Sequence, residues 1–157
     1  MTIPRPALVL GLLGLIPFLF GAGLHLSPAP EVAPESYPLL VPGDGVKILA
    51  SYGLVIFCFM SGVLWGFAAA APGKTSGALP YILSVIPALA AFFGAAPHIF
   101  GTSQPSDALR TLLVLFPALI ILDWYFVRVS LAPPWWLRLR LLLTAVVTAC
   151  LAIGVSL

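Results

Sequence analysis

The amino-acid sequence predicts an all-α, polytopic membrane protein, folded as a bundle of five transmembrane helices. Hydrophobic residues make up 61% of the chain and charged residues only 8%, whereas about a quarter of the residues in a soluble domain are charged. A soluble fold of this composition would expose a continuous apolar surface. The apolar runs are long enough to cross a bilayer and are apolar on both faces, which favours helices over the alternating strands of a barrel.

Charge-free runs locate the individual helices. A spanning helix needs about 20 predominantly apolar residues, and five runs supply them once their ends are trimmed at turn signals. The fourth span reaches this length only with Asp123 included. They form a single transmembrane domain over residues 1–157. The predicted helices are Ala7–Leu24, Lys47–Ala70, Ala78–Ala96, Ala108–Val129 and Leu137–Ser156.

The four connections differ in length and composition. The first, His25–Val46, is rich in proline and predicts an extended, irregular loop. The second, Ala71–Gly77, and the fourth, Ser130–Trp136, contain Pro and Gly breakers or a Pro-Pro pair and predict tight turns. The third, Pro97–Asp107, contains Ser106, which we expect to be the N-cap of the fourth helix.

The distribution of basic residues predicts the orientation of the bundle. Five basic residues share the side of the N-terminus: Arg5, Lys74, Arg128, Arg138 and Arg140. The opposite side has two basic residues and four of the five acidic ones: Lys47, Arg110, Glu31, Glu35, Asp44 and Asp107. We therefore expect a cytoplasmic N-terminus and, because the number of spans is odd, a periplasmic C-terminus.

The first helix has some features of a signal peptide. Arg5 supplies a short basic region, and Gly21-Ala22-Gly23 is a weak cleavage site. The apolar run between them is longer than usual and contains Pro17, so we expect the helix to be retained. Pro17, Pro87 and Pro117 lie inside predicted spans, where each removes one backbone hydrogen bond and bends its helix. Such prolines occur in transporters and also in bundles that transport nothing.

Small residues recur at helical spacing on the second predicted span. Gly62, Gly66 and Ala70 lie on one face, at positions i, i+4 and i+8. A stripe of this kind lets another helix approach closely, and Gly11 with Gly14 has the same character on the first helix. The pattern predicts helix packing and leaves open whether the neighbour is internal or a second protein.

Asp123 is the one charged residue inside an otherwise apolar span. An ionisable group at this depth is costly and is usually paired. Arg128 follows in the same helix, and Arg138 with Arg140 begins the next one after a short turn. The main interpretation is a structural ion pair that joins the last two helices, and the alternative is a proton or ligand site.

Aromatic residues gather at the same end of the bundle as Asp123: Trp65, Trp124, Tyr125, Trp135 and Trp136. An interfacial aromatic belt explains most of them. A second interpretation is a cytoplasmic-side pocket with Asp123 as its floor and the indoles of Trp65 and Trp124 as its walls.

Recognisable catalytic chemistry is missing from the sequence. No nucleophile triad, phosphate loop, zinc-helix motif or paired carboxylate occurs. His25 and His98 do not complete the coordination of a metal or a haem, and Cys58 and Cys150 are interpreted as small buried hydrophobic residues. A net charge of +2 without a basic stripe excludes a nucleic-acid partner. We expect no enzyme activity, catalytic residue, metal or cofactor.

An ordered set of local motifs runs through the chain. They are LLGLIPF at 12–18, YG at 52–53, SGVLWG at 61–66, Asp123, and PWWLRLR at 134–140 followed by Thr144. Together they resemble the domain-of-unknown-function family 3429, which includes the transmembrane protein 69 group of mitochondria and many proteobacterial proteins. The resemblance covers nearly the whole chain and implies a small polytopic inner-membrane protein without an established reaction. Because an Arg-rich, Ser-rich presequence is lacking, we expect a multi-pass protein of the bacterial cell inner membrane.

Two functions remain after these exclusions. The first is a non-enzymatic accessory subunit or assembly factor that lies among membrane lipid and binds another membrane protein or a second copy of itself. The second is a small-molecule carrier or sensor, with a cytoplasmic-side site around Asp123 and Trp65.

Overall fold

The part of the chain that the structure describes forms five helical segments that are long and apolar enough to cross a membrane, which confirms the predicted fold class. The computed structural model describes residues 2–28, 40–71, 77–101 and 104–156, and these ranges contain helices and no strand. The helices are α1 (Arg5–Leu13), α2 (Ile16–Leu26), α3 (Asp44–Ala69), α4 (Leu79–Gly94), α5 (Ala96–Phe100), α6 (Pro105–Arg128) and α7 (Trp136–Ser156). Half of the first predicted connection, with Glu31 and Glu35, and most of the second, with Lys74, lie outside the described residues.

The first span is divided into two helices, where the sequence predicts one bent helix. A helix through this region would need an amide N–H at Pro17 to donate to the carbonyl of Leu13, and the proline ring clashes with that carbonyl. The helix α1 accordingly ends at Leu13, and Pro17 lies in the first turn of α2. At the break, the carbonyl oxygen of Gly14 accepts a hydrogen bond from the hydroxyl of Tyr52 on α3, at 3.1 Å.

The third span is also divided, and it continues beyond the predicted end at Ala96. A break at Ala95 separates α4 from the five-residue α5, which has Pro97 in its first turn. The carbonyl oxygen of Gly94 accepts a hydrogen bond from the hydroxyl of Thr111 on α6, at 3.2 Å. By contrast, α4 continues through Pro87 and α6 through Pro117.

Two helices, α3 and α6, begin three residues earlier than predicted, for local reasons. The start of α3 is Asp44, whose carboxylate accepts hydrogen bonds from the Val41 amide at 3.1 Å and the Lys47 ammonium at 2.9 Å. The start of α6 is Pro105, because proline needs no amide hydrogen bond at the first helical position. The predicted N-cap at Ser106 is therefore wrong, since this residue lies inside the first turn of α6.

The helix α3 lies at the centre of the bundle and contacts α2, α4, α6 and α7. Phe116 on α6 packs edge-to-face against Phe18 on α2 and Phe57 on α3, with ring centroids 6.2 Å and 5.2 Å apart. All three rings are buried. Their contacts join the first, second and fourth spans. They position α6, which carries Asp123, against the rest of the bundle.

The predicted small-residue stripe does not pack against another described helix. Gly62, Gly66 and Ala70 are exposed, and a side chain added at either glycine would meet nothing within 4 Å. Close packing instead occurs at the other end of α3, where a Cβ on Gly45 would lie 2.5 Å from the carbonyl oxygen of Gly21 on α2. The stripe therefore faces outward from the bundle.

Substitution Gly45→Ala tests this close contact. We expect it to lower the free energy of unfolding by about 1–3 kcal/mol, because the added methyl group meets backbone that cannot move aside easily. The measurement is denaturant unfolding of the purified protein in detergent micelles. The control is Gly43→Ala, two residues away, where an added Cβ meets nothing within 4 Å. Equal stability of the two variants would contradict the close packing of α2 on α3.

Candidate functional site

The carboxylate of Asp123 lies inside the bundle, on the buried face of α6. Its side chain is 2% exposed. The face that carries it is otherwise apolar, with Phe116, Leu119 and Phe126 also buried. The same helical spacing that buries these hydrophobic residues therefore buries the acid.

Two side chains of α7 hold this carboxylate, one at each oxygen. The indole Nε1 of Trp136 donates a hydrogen bond to Oδ1 at 2.6 Å. The guanidinium Nε of Arg140 donates to Oδ2 at 2.8 Å, and the Arg140 side chain is 4% exposed. The result is a buried, charge-neutral pair with a neutral third donor, which we call the Asp–Arg–Trp cluster.

The turn between α6 and α7 brings these residues together. Ser130 takes a left-handed backbone conformation with φ of 59°, and the amides of Leu131 and Ala132 both donate to the carbonyl of Phe126, at 2.9 Å and 3.1 Å. The chain reverses within a few residues, so the first turns of α7 pack beside the last turns of α6. Positions 136, 140 and 144 then lie on one face of α7, because they are four residues apart.

Energetically, the pair is more important for alignment than for net stability. Two buried charges lose hydration, and their attraction offsets this cost only when the geometry is good and other hydrogen bonds complete it. The indole of Trp136 completes it here. A shift of α7 along α6 by one turn would leave both charges buried and unpaired, so the cluster fixes the register of these two helices.

Other predicted members of the site lie elsewhere. The guanidinium of Arg128 lies over the ring of Trp124, 5.8 Å from its centroid, and this indole is exposed. Trp65 is 47% exposed and packs edge-to-face on Tyr81 of α4. Arg138 is an exposed residue in the first turn of α7. The structure thus brings together Asp123 and Arg140, and neither Trp65 nor Trp124 forms a wall beside the carboxylate.

Sequence reasoning missed two residues of this region, Trp136 as a hydrogen-bond donor and Thr144 as a buried hydroxyl. Trp136 looks like a member of an aromatic belt when only its position near the end of the span is considered. Its spacing of four residues from Arg140 was the available signal, because that spacing puts both side chains on one helix face.

Potential metal ligands are scattered in the described part of the chain. No group of three or more His, Cys, Asp and Glu residues comes together there. Cys58 and Cys150 are free thiols within the second and fifth spans. Cys150 is buried, as expected of a small hydrophobic residue, whereas Cys58 is only half-buried. The buried charged residues of the described core are Asp123 and Arg140.

A double-mutant cycle tests whether the pair is structural. Asp123→Leu alone leaves a buried, unpaired guanidinium, and we expect it to lower the free energy of unfolding by about 3–5 kcal/mol. Arg140→Met alone should cost a similar amount. The double variant should recover most of this loss, since apolar residues of similar volume replace buried pairs well. The measurement is denaturant unfolding in detergent micelles.

The exposed pair between Asp107 and Arg110 on α6 is the matched control. Its N–O distance is also 2.8 Å, but its side chains are 38% and 64% exposed. Asp107→Leu and Arg110→Met should each change the free energy of unfolding by less than about 1 kcal/mol. If the losses at Asp123 and Arg140 simply add in the double variant, the two residues do not act as a pair.

The indole hydrogen bond is tested by Trp136→Phe. We expect a loss of about 1–3 kcal/mol, because Oδ1 of Asp123 then has no donor in an apolar site. Trp135→Phe is the control, because it makes the same change in ring size at a neighbouring position where the side chain is half-buried. Thermal unfolding, followed by the remaining tryptophan fluorescence, compares the two. Equal losses would show that ring size matters and the N–H does not.

Comparison with known proteins finds a family model that matches this chain. No curated protein and no solved structure matches this chain significantly. One family model matches, and the match covers residues 3–156, nearly the whole length of the chain. The Asp–Arg–Trp cluster and all five candidate spans lie within this range. On this match, the chain belongs to the family described as "Protein of unknown function (DUF3429)".

Proposed function

We propose that this multi-pass membrane protein is a non-enzymatic accessory subunit or assembly factor, and that it binds a helix of another membrane protein along α3. The observation that supports this function is the outward-facing stripe of Gly62, Gly66 and Ala70. A stripe of small residues lets another helix approach closely, and the described helices of this chain leave it uncovered.

The shape of this surface fits a partner helix. Phe59 and Trp65, which are exposed on the same side of α3, rise beside the glycines. A groove with a flat glycine floor and aromatic walls allows two backbones to approach closely and gains dispersion contacts that lipid tails do not supply as well. Association between helices in a membrane depends on such packing, because lipid is as apolar as the helices themselves.

The alternative function, a carrier or sensor built on Asp123 and Trp65, has less support. Both carboxylate oxygens of Asp123 already accept hydrogen bonds inside the bundle. The ring of Trp65 lies on the outer surface against Tyr81. A ligand that replaces Arg140 at the carboxylate would leave a buried guanidinium unpaired, and one that replaces Trp136 would have to supply the lost donor.

The proposal includes location in a bacterial inner membrane with a cytoplasmic N-terminus. Its support is the distribution of charge: Arg5 at the start of α1, Arg128 at the end of α6 and Arg140 near the start of α7 share one end of the bundle. Lys47 and Arg110 are near the starts of α3 and α6, at the other end. Such an excess of basic residues is typical of the cytoplasmic side.

The test replaces the floor of the groove. We expect the tagged wild-type protein, expressed in its native host and purified in mild detergent, to recover one partner in stoichiometric amount. Gly62→Leu combined with Gly66→Leu should reduce that recovery at least tenfold, because the side chains fill the groove and keep the helices apart. Quantitative mass spectrometry of the purified complex measures the ratio of partner to bait.

Gly23→Leu is the matched control, as Gly23 is an exposed helical glycine on α2 with nothing within 4 Å of an added Cβ. It should leave partner recovery unchanged. A photoreactive amino acid at position 62 should cross-link to the same partner in intact membranes. Recovery of a lone monomer from the wild type, or a cross-link only to a second copy of this chain, would contradict the proposal.

A further inference from the structure

A cleft opens between the first span, α3 and α7. Its volume is about 130 Å³, which is close to the volume that holds a benzene-sized group in an apolar protein cavity. The walls are mainly hydrophobic, and Phe59 together with Leu10 forms an exposed rim. Arg140 and Thr144 of α7 also line it.

The division of the first span explains why the cleft exists. The helix α2 packs against both α3 and α7, whereas α1 packs mainly against α7. Gly14, just after the end of α1, lines the cleft without a side chain, as does Gly11, where an added Cβ would lie 3.1 Å from Leu143 of α7. A continuous helix in this position would follow α3 along its length, so the break at Pro17 produces the opening.

Two buried polar atoms at the cleft lack a hydrogen-bond partner among the described residues. Arg140 uses its Nε for Asp123, but its Nη2 is unpaired. The hydroxyl of Thr144, one helical turn further along α7, is unpaired as well. Arg140 is 3% and Thr144 6% exposed. In a membrane, water does not satisfy such groups from the lipid side, so they are unfavourable unless a bound molecule completes them.

We propose that this cleft binds an apolar, lipid-phase molecule through one neutral carbonyl oxygen, which accepts hydrogen bonds from Arg140 Nη2 and the Thr144 hydroxyl. Both protein groups can donate to a single acceptor. The ligand is neutral because Asp123 already compensates the charge of Arg140. A carboxylate would bring a second, uncompensated negative charge into the apolar site, which is costly.

The carbonyl oxygen has two sources in a membrane. A quinone ring carries it directly and fits the volume of the cleft. The ester group of a neutral acyl lipid also carries it, near the depth of Arg140, which lies about 6 Å along the axis from the start of α7. The shared chemistry is one neutral carbonyl on an apolar body, and the two sources are separated by experiment.

The experiment uses the full chain in dodecyl maltoside micelles, whose detergent carries no carbonyl group, and native mass spectrometry to count bound molecules. The probes are a decyl-benzoquinone, a diacylglycerol, decylbenzene, which lacks the carbonyl, and oleate, which carries a negative charge. We expect saturable binding of one molecule of a carbonyl probe and no comparable binding of decylbenzene or oleate. The carbonyl probe that binds more tightly identifies the source.

Three variants at neighbouring positions isolate the hydrogen bond. Thr144→Val should weaken binding of the carbonyl probe roughly tenfold, because it removes one donor without changing the volume. Thr144→Ser keeps the hydroxyl and should bind as the wild type does. Thr148→Val is the control, since the Thr148 hydroxyl donates to the Thr144 carbonyl and does not line the cleft.

The unfolding temperature of each variant is measured alongside its probe binding. Thr144→Val should unfold at the same temperature as the wild type or higher, because the hydroxyl it removes has no partner among the described residues. Several outcomes would overturn the proposal: binding of decylbenzene as tightly as the carbonyl probes, preference for oleate, unchanged affinity in Thr144→Val, or no bound probe at all. The last result would mean that ordered water alone completes the two groups.

Discussion

The burial of one carboxylate determines how the second half of this protein is arranged. In hydrocarbon, Asp123 is tolerable only if both of its oxygens are bonded and its charge is compensated. The indole of Trp136 and the guanidinium of Arg140 meet both conditions from the first turns of α7. For that to happen, the chain must reverse sharply after α6 and α7 must begin beside it. The left-handed conformation of Ser130 and the amides that converge on Phe126 are the local means of this reversal.

The same need to complete polar groups governs the backbone. Prolines and breaks leave carbonyl oxygens without amide partners, and lipid supplies no water for them. Side-chain hydroxyls of neighbouring helices take this role: Tyr52 donates to Gly14 and Thr111 to Gly94, and Ser61 of α3 adds a further bond to the carbonyl of Ser84 on α4. Each of these bonds joins two spans, so a local defect in one helix becomes a specific contact with another. The bundle is specified by few polar contacts because most of its surface is uniformly apolar.

The sequence predicts the five spans well, because their length and hydropathy are set by the bilayer and not by neighbouring helices. It also predicts that Asp123 pairs with an arginine, since an unpaired charge would be too costly. It does not show which of Arg128, Arg138 and Arg140 is the partner, because all three are near Asp123 at the same end of the bundle. The geometry of the turn between α6 and α7 determines which guanidinium reaches the carboxylate. The sequence also does not predict that Gly62 and Gly66 face outward, since small residues have the same spacing on an inner helix face and on an outer one. The division of the first span also involves a contact between helices, because the free carbonyl of Gly14 accepts its hydrogen bond from Tyr52 on α3. The sequence of the first span alone does not show that this donor is present.

The short turn between α6 and α7 also has a consequence for how the protein is made. Asp123 and Arg140 are 17 residues apart in the chain, so both are synthesised within a brief interval. Either helix alone would carry an uncompensated charge during membrane insertion, at a cost of a few kcal/mol. Entering the bilayer together as a helical hairpin, they present a neutral pair to the lipid from the start. The tight turn thus couples the membrane insertion of the last two spans. A longer linker between α6 and α7 would keep Asp123 and Arg140 apart during insertion, when each charge would otherwise be unpaired in lipid.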